Sequence, residues 1–362
     1  MRRNKIDSGW NAIPDKRKKQ RQAKKRLSWI SQYESHTSIE QTFFEKIVKF
    51  LIKISLFFTI SRTNFFNNRK KNEIIDSTYE SLSSNKFLFI PAGVALYFFL
   101  SIIPILIIVI SVINLVPNNW TDLLLDDVLG RIIPGIKDMI QTIQFNNTTV
   151  NIILLFFLLS LVWFSSKGIT KFNDSFVSIY SYEYNSNWLI KRLKGFFTVC
   201  AVTIFFIIWS FAYLPLLDFI KQQTSDQILY EFLFYFTSFF YMIVFGYAGI
   251  GFLFLYIPPF KLKWRQIKPG ILTALIPTML FVLIFSLVTK FLNYEKFGPI
   301  GTFVYAVVFV LYLSYFLHAG IILNASYYKT YFSLTIVKKK IIISKKIAMV
   351  IENLLYRFRG RR

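Results

Sequence analysis

"YFFLSIIPIL", residues 97–106, is the stretch on which the fold turns. It is strongly apolar, yet it carries Ser101 and Pro104. A proline inside a helix removes one hydrogen-bond donor and crowds the carbonyl four residues back, here that of Leu100. In water such a residue usually marks a helix end. In hydrocarbon the backbone must satisfy itself, so the helix continues and the loosened carbonyl takes a donor from Ser101 or from a facing helix. The flanks favour hydrocarbon: from 88 to 115 there is no Asp, Glu, Lys or Arg, and about 20 apolar residues suffice to cross a bilayer.

Five further runs share that property, at roughly 149–166, 195–217, 232–257, 269–289 and 299–327. A soluble core would need these runs broken by polar positions at helical period. Barrel strands would alternate polar and apolar residues over about 10 positions. Neither pattern is present. Lysine and arginine decide the orientation. With both termini and alternate loops on one side, 38 of the 43 basic residues fall there and 5 fall opposite. Basic residues near spans stay cytoplasmic. The expected fold is therefore all-α: a polytopic six-transmembrane-helix bundle with both termini in the cytoplasm. Cys200 stands alone, so no disulfide framework is available. No cleavable signal peptide is expected, because no apolar run follows the basic residues within the first thirty positions.

The sequence divides into four parts. Residues 1–39 form a basic tail in which "KRKKQRQAKKR", Lys16 to Arg26, has eight cations in eleven positions. It reads as a solvated, disordered segment; anionic lipid is the alternative partner, and nucleic acid is not expected. Residues 40–86 hold an amphipathic interfacial helix, with Lys46, Lys49 and Lys53 on one face, followed by a linker. Residues 87–328 are the membrane domain, and 329–362 a second basic tail. The long loop at 117–148 reads as two short helices broken around Pro134 and Gly135. Its aspartates, Asp122, Asp126, Asp127 and Asp138, match no metal-ligand spacing and read as a solvated face. Trp120 suits an interfacial anchor.

Several landmarks together resemble the YihY/BrkB family of six-span bacterial membrane proteins. They are Tyr97, Ser101 and Pro104 in span one, and Trp163, Ser165, Gly168 and Phe172 in "LVWFSSKGITKFNDSFVSIY". Pro258, Lys263, Trp264, Arg265, Pro269 and Gly270 follow in "YIPPFKLKWRQIKPGIL", then Tyr294, Gly298, Gly301, Gly320 and Asn324 around the last span. The resemblance covers roughly 85–330. It implies an integral inner-membrane protein of unsettled activity, often associated with transport or export. The family commonly places a glutamate two residues before that asparagine; here the position is Ile322.

An older ribonuclease label attached to the family finds no support in the residues. Metal-dependent nucleases need His, Asp or Glu clusters to hold the ion that activates water. This chain has two histidines, His36 and His318, and the six runs contain no carboxylate. No catalytic residue, metal ligand or cofactor is expected, and the chain is not read as an enzyme. The candidate pathway or helix-kink residues are Tyr97, Ser101, Pro104, Pro277, Gly301, His318, Gly320 and Asn324. His318 also reads as a neutral, hydrogen-bonded core residue, and Asn324 as interhelical glue. Two functions stay open: a transporter or exporter of an unknown solute, or a non-transporting envelope or assembly protein that recruits lipid or partners.

Overall fold

The structure is a computed structural model that describes residues 45–59, 68–116, 119–137, 151–183, 187–224, 226–291 and 298–332. The basic runs of both tails, Asp138 and Tyr294 lie outside these residues. The chain divides into two compact units, Met1–Ile54 and Ser55–Arg362. In the first, residues 45–54 are helical, and Lys49 pairs with Glu45 one turn earlier at 2.8 Å. That helix, α1, runs over 45–59.

In the second unit, α2 (Asn68–Leu82) precedes six long helices: α3 (Asn85–Ile113), α4 (Asn151–Ile179), α5 (Trp188–Gln223), α6 (Gln227–Tyr256), α7 (Trp264–Phe291) and α8 (Gly298–Tyr331). Among the described residues the fold is all-helical, without strands. Five helices are long and apolar enough to cross a membrane: Phe87–Ile113, Trp188–Gln223, Gln227–Tyr256, Trp264–Val288 and Ile300–Tyr331. The sequence predicts six. The remaining run falls on α4, whose first nine side chains lie outside the described residues. The second half of α4 turns polar, with Lys167, Lys171, Asn173 and Asp174.

Helix order follows chain order. Each of α3 to α8 packs on the next, α8 returns to pack on α3, and α2 lies mainly on α8. The ring closes around a core in which Phe172, Phe176, Phe254, Ile271 and Ile321 are fully buried. Phe172 and Phe176 stack edge to face at 5.3 Å, and Phe176 meets Phe254 at 5.7 Å. As expected for a chain in lipid, α3 continues through Pro91 and Pro104, α5 through Pro215, and α7 through Pro269 and Pro277.

Helix ends follow from local chemistry. Asp226 caps α6 by accepting from the Ile228 N–H at 3.0 Å. The Pro258–Pro259 pair cannot extend that helix. Its C-terminal carbonyls at Ile257 and Pro258 accept from Lys194 Nζ of α5 at 2.7 and 3.3 Å. At the start of α7 the Lys263 N–H donates to Gln266 Oε1 at 2.7 Å, and the Gln266 N–H donates back to the Lys263 carbonyl at 2.8 Å.

The loop after α3 begins as one helix: Trp120–Asp122, a π-helical stretch Leu123–Leu129, then Gly130–Ile132. Ile133 leaves the helix and Gly135 adopts φ 73°, a left-handed turn open to glycine. The break therefore falls at the Pro134–Gly135 pair, and the expected second helix lies mostly outside the described residues. Trp120 Nε1 donates to Asp218 Oδ2 at 3.3 Å, joining the loop to the end of α5.

Among the described residues the loop carboxylates Asp122, Asp126 and Asp127 are engaged in ion pairs. Lys137 meets Asp126 at 2.7 Å and Asp122 at 3.2 Å; Asp127 meets Lys221 at 3.0 Å and Arg131 at 3.5 Å. Hydrogen bonds to Asp126, then Asp122, hold the Lys137 ammonium above its ordinary pKa. The pairing is thus fully present below the ordinary lysine value and is lost only as pH rises through the raised one. Because these groups face solvent, Lys137→Met is expected to cost less than about 1 kcal/mol. Thermal melts at low salt and about 1 M salt check this, since the difference from the parent should vanish at high salt.

Candidate functional site

A cavity of about 410 Å³ opens between α5, α6, α7 and α8, within the range of about 300–1,000 Å³ usual for small-ligand sites. Its walls are largely aromatic and aliphatic: Phe205 and Trp209 of α5, Tyr241 and Phe245 of α6, Leu283 of α7 and Leu313 of α8 among them. On α6 it is lined by Gly246 and Gly249, where a Cβ would meet Leu275 Cδ1 at 2.6 Å and the Phe205 ring at 3.1 Å, respectively. Polar side chains are few among the lining residues: the Tyr213 and Ser238 hydroxyls hydrogen-bond to each other. The Arg131 guanidinium lies over the Phe234 ring at 4.2 Å and near Tyr235 at 5.6 Å. The arrangement suits a largely apolar molecule.

None of the eight candidate pathway residues lines this cavity. Instead, the structure places most of them at three helix contacts. At the first, Ser101 Oγ contacts the Tyr97 carbonyl of its own helix at 2.7 Å and the Ser165 carbonyl of α4 at 2.9 Å. Its acceptors are therefore Tyr97 and Ser165, not the Leu100 carbonyl suggested by the position of Pro104. Gly168 lets α4 approach: a methyl there would lie 2.9 Å from the Tyr97 carbonyl oxygen and would overlap Ser101 Oγ. Pro104 is buried beside this contact on α3.

The second contact joins α7 and α8. Gly270 and Gly320 face each other so closely that a Cβ on either would overlap the other's carbonyl oxygen. The Gly270 N–H donates to Asn324 Oδ1 at 2.7 Å. Asn324 lies one turn beyond Gly320, so both occupy one face of α8. Asn324 Nδ2 is buried without a partner among the described residues.

His318 is fully buried at the third contact. Its Nδ1 donates to the Ser314 carbonyl at 2.7 Å, one turn back, which leaves a lone pair on Nε2 in the neutral ring. Among the described residues Nε2 has no hydrogen-bond partner, and the ring meets Phe172 of α4 edge to face at 5.4 Å. Ser314 Oγ in turn donates to the Pro91 carbonyl of α3 at 2.8 Å. Gly301 lies beside Thr302, whose hydroxyl donates to the Pro134 carbonyl at 2.8 Å and ties α8 to the loop. Pro277 is partly buried on α7 and adjoins Thr278, a cavity residue. Ile322, at the position where the resemblance leads one to look for a carboxylate, is a buried apolar residue.

Among the described residues no group of three His, Cys, Asp or Glu side chains could hold a metal ion. No curated protein and no solved structure matches the chain significantly. The family model Virulence factor BrkB matches residues 78–338, taking in all six long helices, the loop and the cavity. By that match the chain belongs to the BrkB (YihY/BrkB) family of membrane proteins.

Proposed function

We propose that this protein is a six-span bacterial inner-membrane transporter or exporter of an amphipathic solute, with both termini cytoplasmic. The observation that carries the reading is the cavity among α5–α8, almost wholly apolar, with Arg131, Tyr213 and Ser238 among its lining residues. The sixth span would be α4, whose charge-free run at 149–166 meets the length a bilayer requires. The placement of the termini rests on the asymmetry of lysine and arginine. On this reading the protein is not an enzyme, anionic lipids bind the basic tails, and nucleic acid is no partner. Tyr97, Ser101, Pro104 and the polar face of α8 would set the helix packing that the transport cycle rearranges.

The test reconstitutes the full chain in vesicles carrying a phospholipid with a fluorescent acyl chain and measures its exchange between leaflets by dithionite quenching. The parent is expected to exchange the probe faster than protein-free vesicles. Leu283→Trp, which fills the cavity, should slow exchange on the order of tenfold at an overpacking cost of about 1–3 kcal/mol. Pro104→Ala, which stiffens α3 away from the cavity, should slow it as well. Parent vesicles no faster than empty ones would sink the reading. They would favour the second one, an envelope or assembly protein whose tight Ser101–Gly168 and Gly270–Gly320 contacts serve as a static scaffold.

A further inference from the structure

Three cations at the C-terminal half of α4 and the start of α5 lack what a cation near hydrocarbon needs. Lys167 and Lys171 are one turn apart on α4, and Arg192 lies on the neighbouring helix. Each sits near an aromatic ring. Arg192 Cζ is 5.4 Å from the Trp163 centroid, Lys167 Nζ is 5.4 Å from Phe164, and Lys171 Nζ is 5.9 Å from Tyr97. Among the described residues none of the three pairs with a carboxylate, whereas the adjacent Lys191 meets Asp174 at 3.4 Å.

Arg192 separates this cluster from ordinary interfacial lysines. A long basic side chain at a membrane surface normally carries its head into water. Arg192 is only 7% exposed, and its Nε is buried with no hydrogen-bond partner among the described residues. A buried guanidinium with a ring on one face and no counterion is electrostatically incomplete. Lys167 and Lys171, like charges at i and i+4, repel each other unless an anion lies between or beside them. The surface around them is apolar and open, with Trp163 36% and Phe164 43% exposed. An occupant must therefore bring a negative charge to the cations and hydrocarbon to the rings.

We infer that this face binds the phosphate of an anionic glycerophospholipid. Arg192 presents its planar fork to the phosphate oxygens, Lys167 and Lys171 supply further charge, and the acyl chains lie on Trp163 and Phe164. The leaflet is the cytoplasmic one if the charge-based orientation holds. The site is separate from the α5–α8 cavity and does not depend on transport.

Native mass spectrometry of the full chain in detergent tests the inference, with phosphatidylglycerol, phosphatidylcholine and inorganic phosphate as separate probes. A wash in about 1 M salt, where the Debye length is about 3 Å, removes lipid held only by the exposed tails. The parent should retain phosphatidylglycerol and not phosphatidylcholine. Arg192→Gln should lower retention on the order of tenfold, the loss of one charge-assisted contact, and Arg192→Lys by less. The double variant Lys167→Gln with Lys171→Gln alters exposed positions and decides the matter should Arg192→Gln fail to fold; it too should release the lipid. Parental retention in the variants, or equal retention of phosphatidylcholine, would overturn the inference. Inorganic phosphate occupying the site alone, without lipid being retained, would also overturn the assignment to a lipid.

Discussion

Gly270→Ala is expected to abolish the folded bundle, although it adds a single methyl. The atom that methyl would overlap is the carbonyl oxygen of Gly320, and the Asn324 amide group crowds the same point. A flexible side chain can swing away, but a backbone oxygen moves only if α8 moves with it. Separating α7 from α8 would also break the 2.7 Å hydrogen bond from the Gly270 N–H to Asn324 Oδ1. It would open a contact at which Ala274, beside Gly320, is fully buried as well. The cost should reach about 3 kcal/mol or more, the upper range for overpacking. Two internal controls give this prediction its edge. At Gly246 a new Cβ would approach only the Leu275 Cδ1 at 2.6 Å, the movable end of a side chain. At Gly93 nothing lies within 4 Å, so alanine there should be neutral or stabilise the helix by up to about 1 kcal/mol. Size-exclusion profiles and thermal melts in detergent should rank Gly93→Ala above Gly246→Ala, with Gly270→Ala aggregated. If Gly270→Ala melts with Gly93→Ala, the close crossing of α7 and α8 is wrong.

That crossing also shows where reading the sequence stops. The long helices are legible because lipid tolerates no charge along a span, so each span appears as an uninterrupted run. The break at Pro134–Gly135 is legible because one residue lacks a donor and the other accepts a left-handed backbone. Gly320 and Asn324 are visible as polar or small residues in the last span. Their partner Gly270 lies 54 residues away from Asn324, and helical periodicity carries no information about which faces meet. The cavity is harder still to foresee. Its walls come from four helices and the loop, and its residues are ordinary aromatic and aliphatic side chains with no spacing in common. Arg192 does not stand out in the sequence, where it counts only as one more basic charge near a span. Its burial, and the ring beneath it, appear only once α4 and α5 are packed together. His318 shows both sides. Its burial in a core follows from an apolar span without carboxylates, but the unpartnered Nε2 depends on the helices around it.

Gly168→Ala is expected to cost about 2–3 kcal/mol, and the cost should fall when Ser101 is removed. Two atoms obstruct the new methyl, and they differ in kind. Ser101 Oγ belongs to a side chain that can be deleted; the Tyr97 carbonyl oxygen, 2.9 Å away, belongs to α3 itself. Ser101→Ala alone gives up contacts to the Tyr97 and Ser165 carbonyls at 2.7 and 2.9 Å. One hydroxyl proton is shared between the two, so a loss of about 0.6–1.7 kcal/mol is the scale for such an interaction in a membrane. In the double variant one obstruction is gone and the other stays. The summed single costs should therefore exceed the double cost by at least about 0.5 kcal/mol, the size of coupling seen between touching residues. Thermal melts of the four proteins close the cycle. Additive costs would mean that Ser101 points away from Gly168, which would return its hydroxyl to the list of groups that could line a path. A clear coupling makes the serine in "YFFLSIIPIL" a helix-packing group.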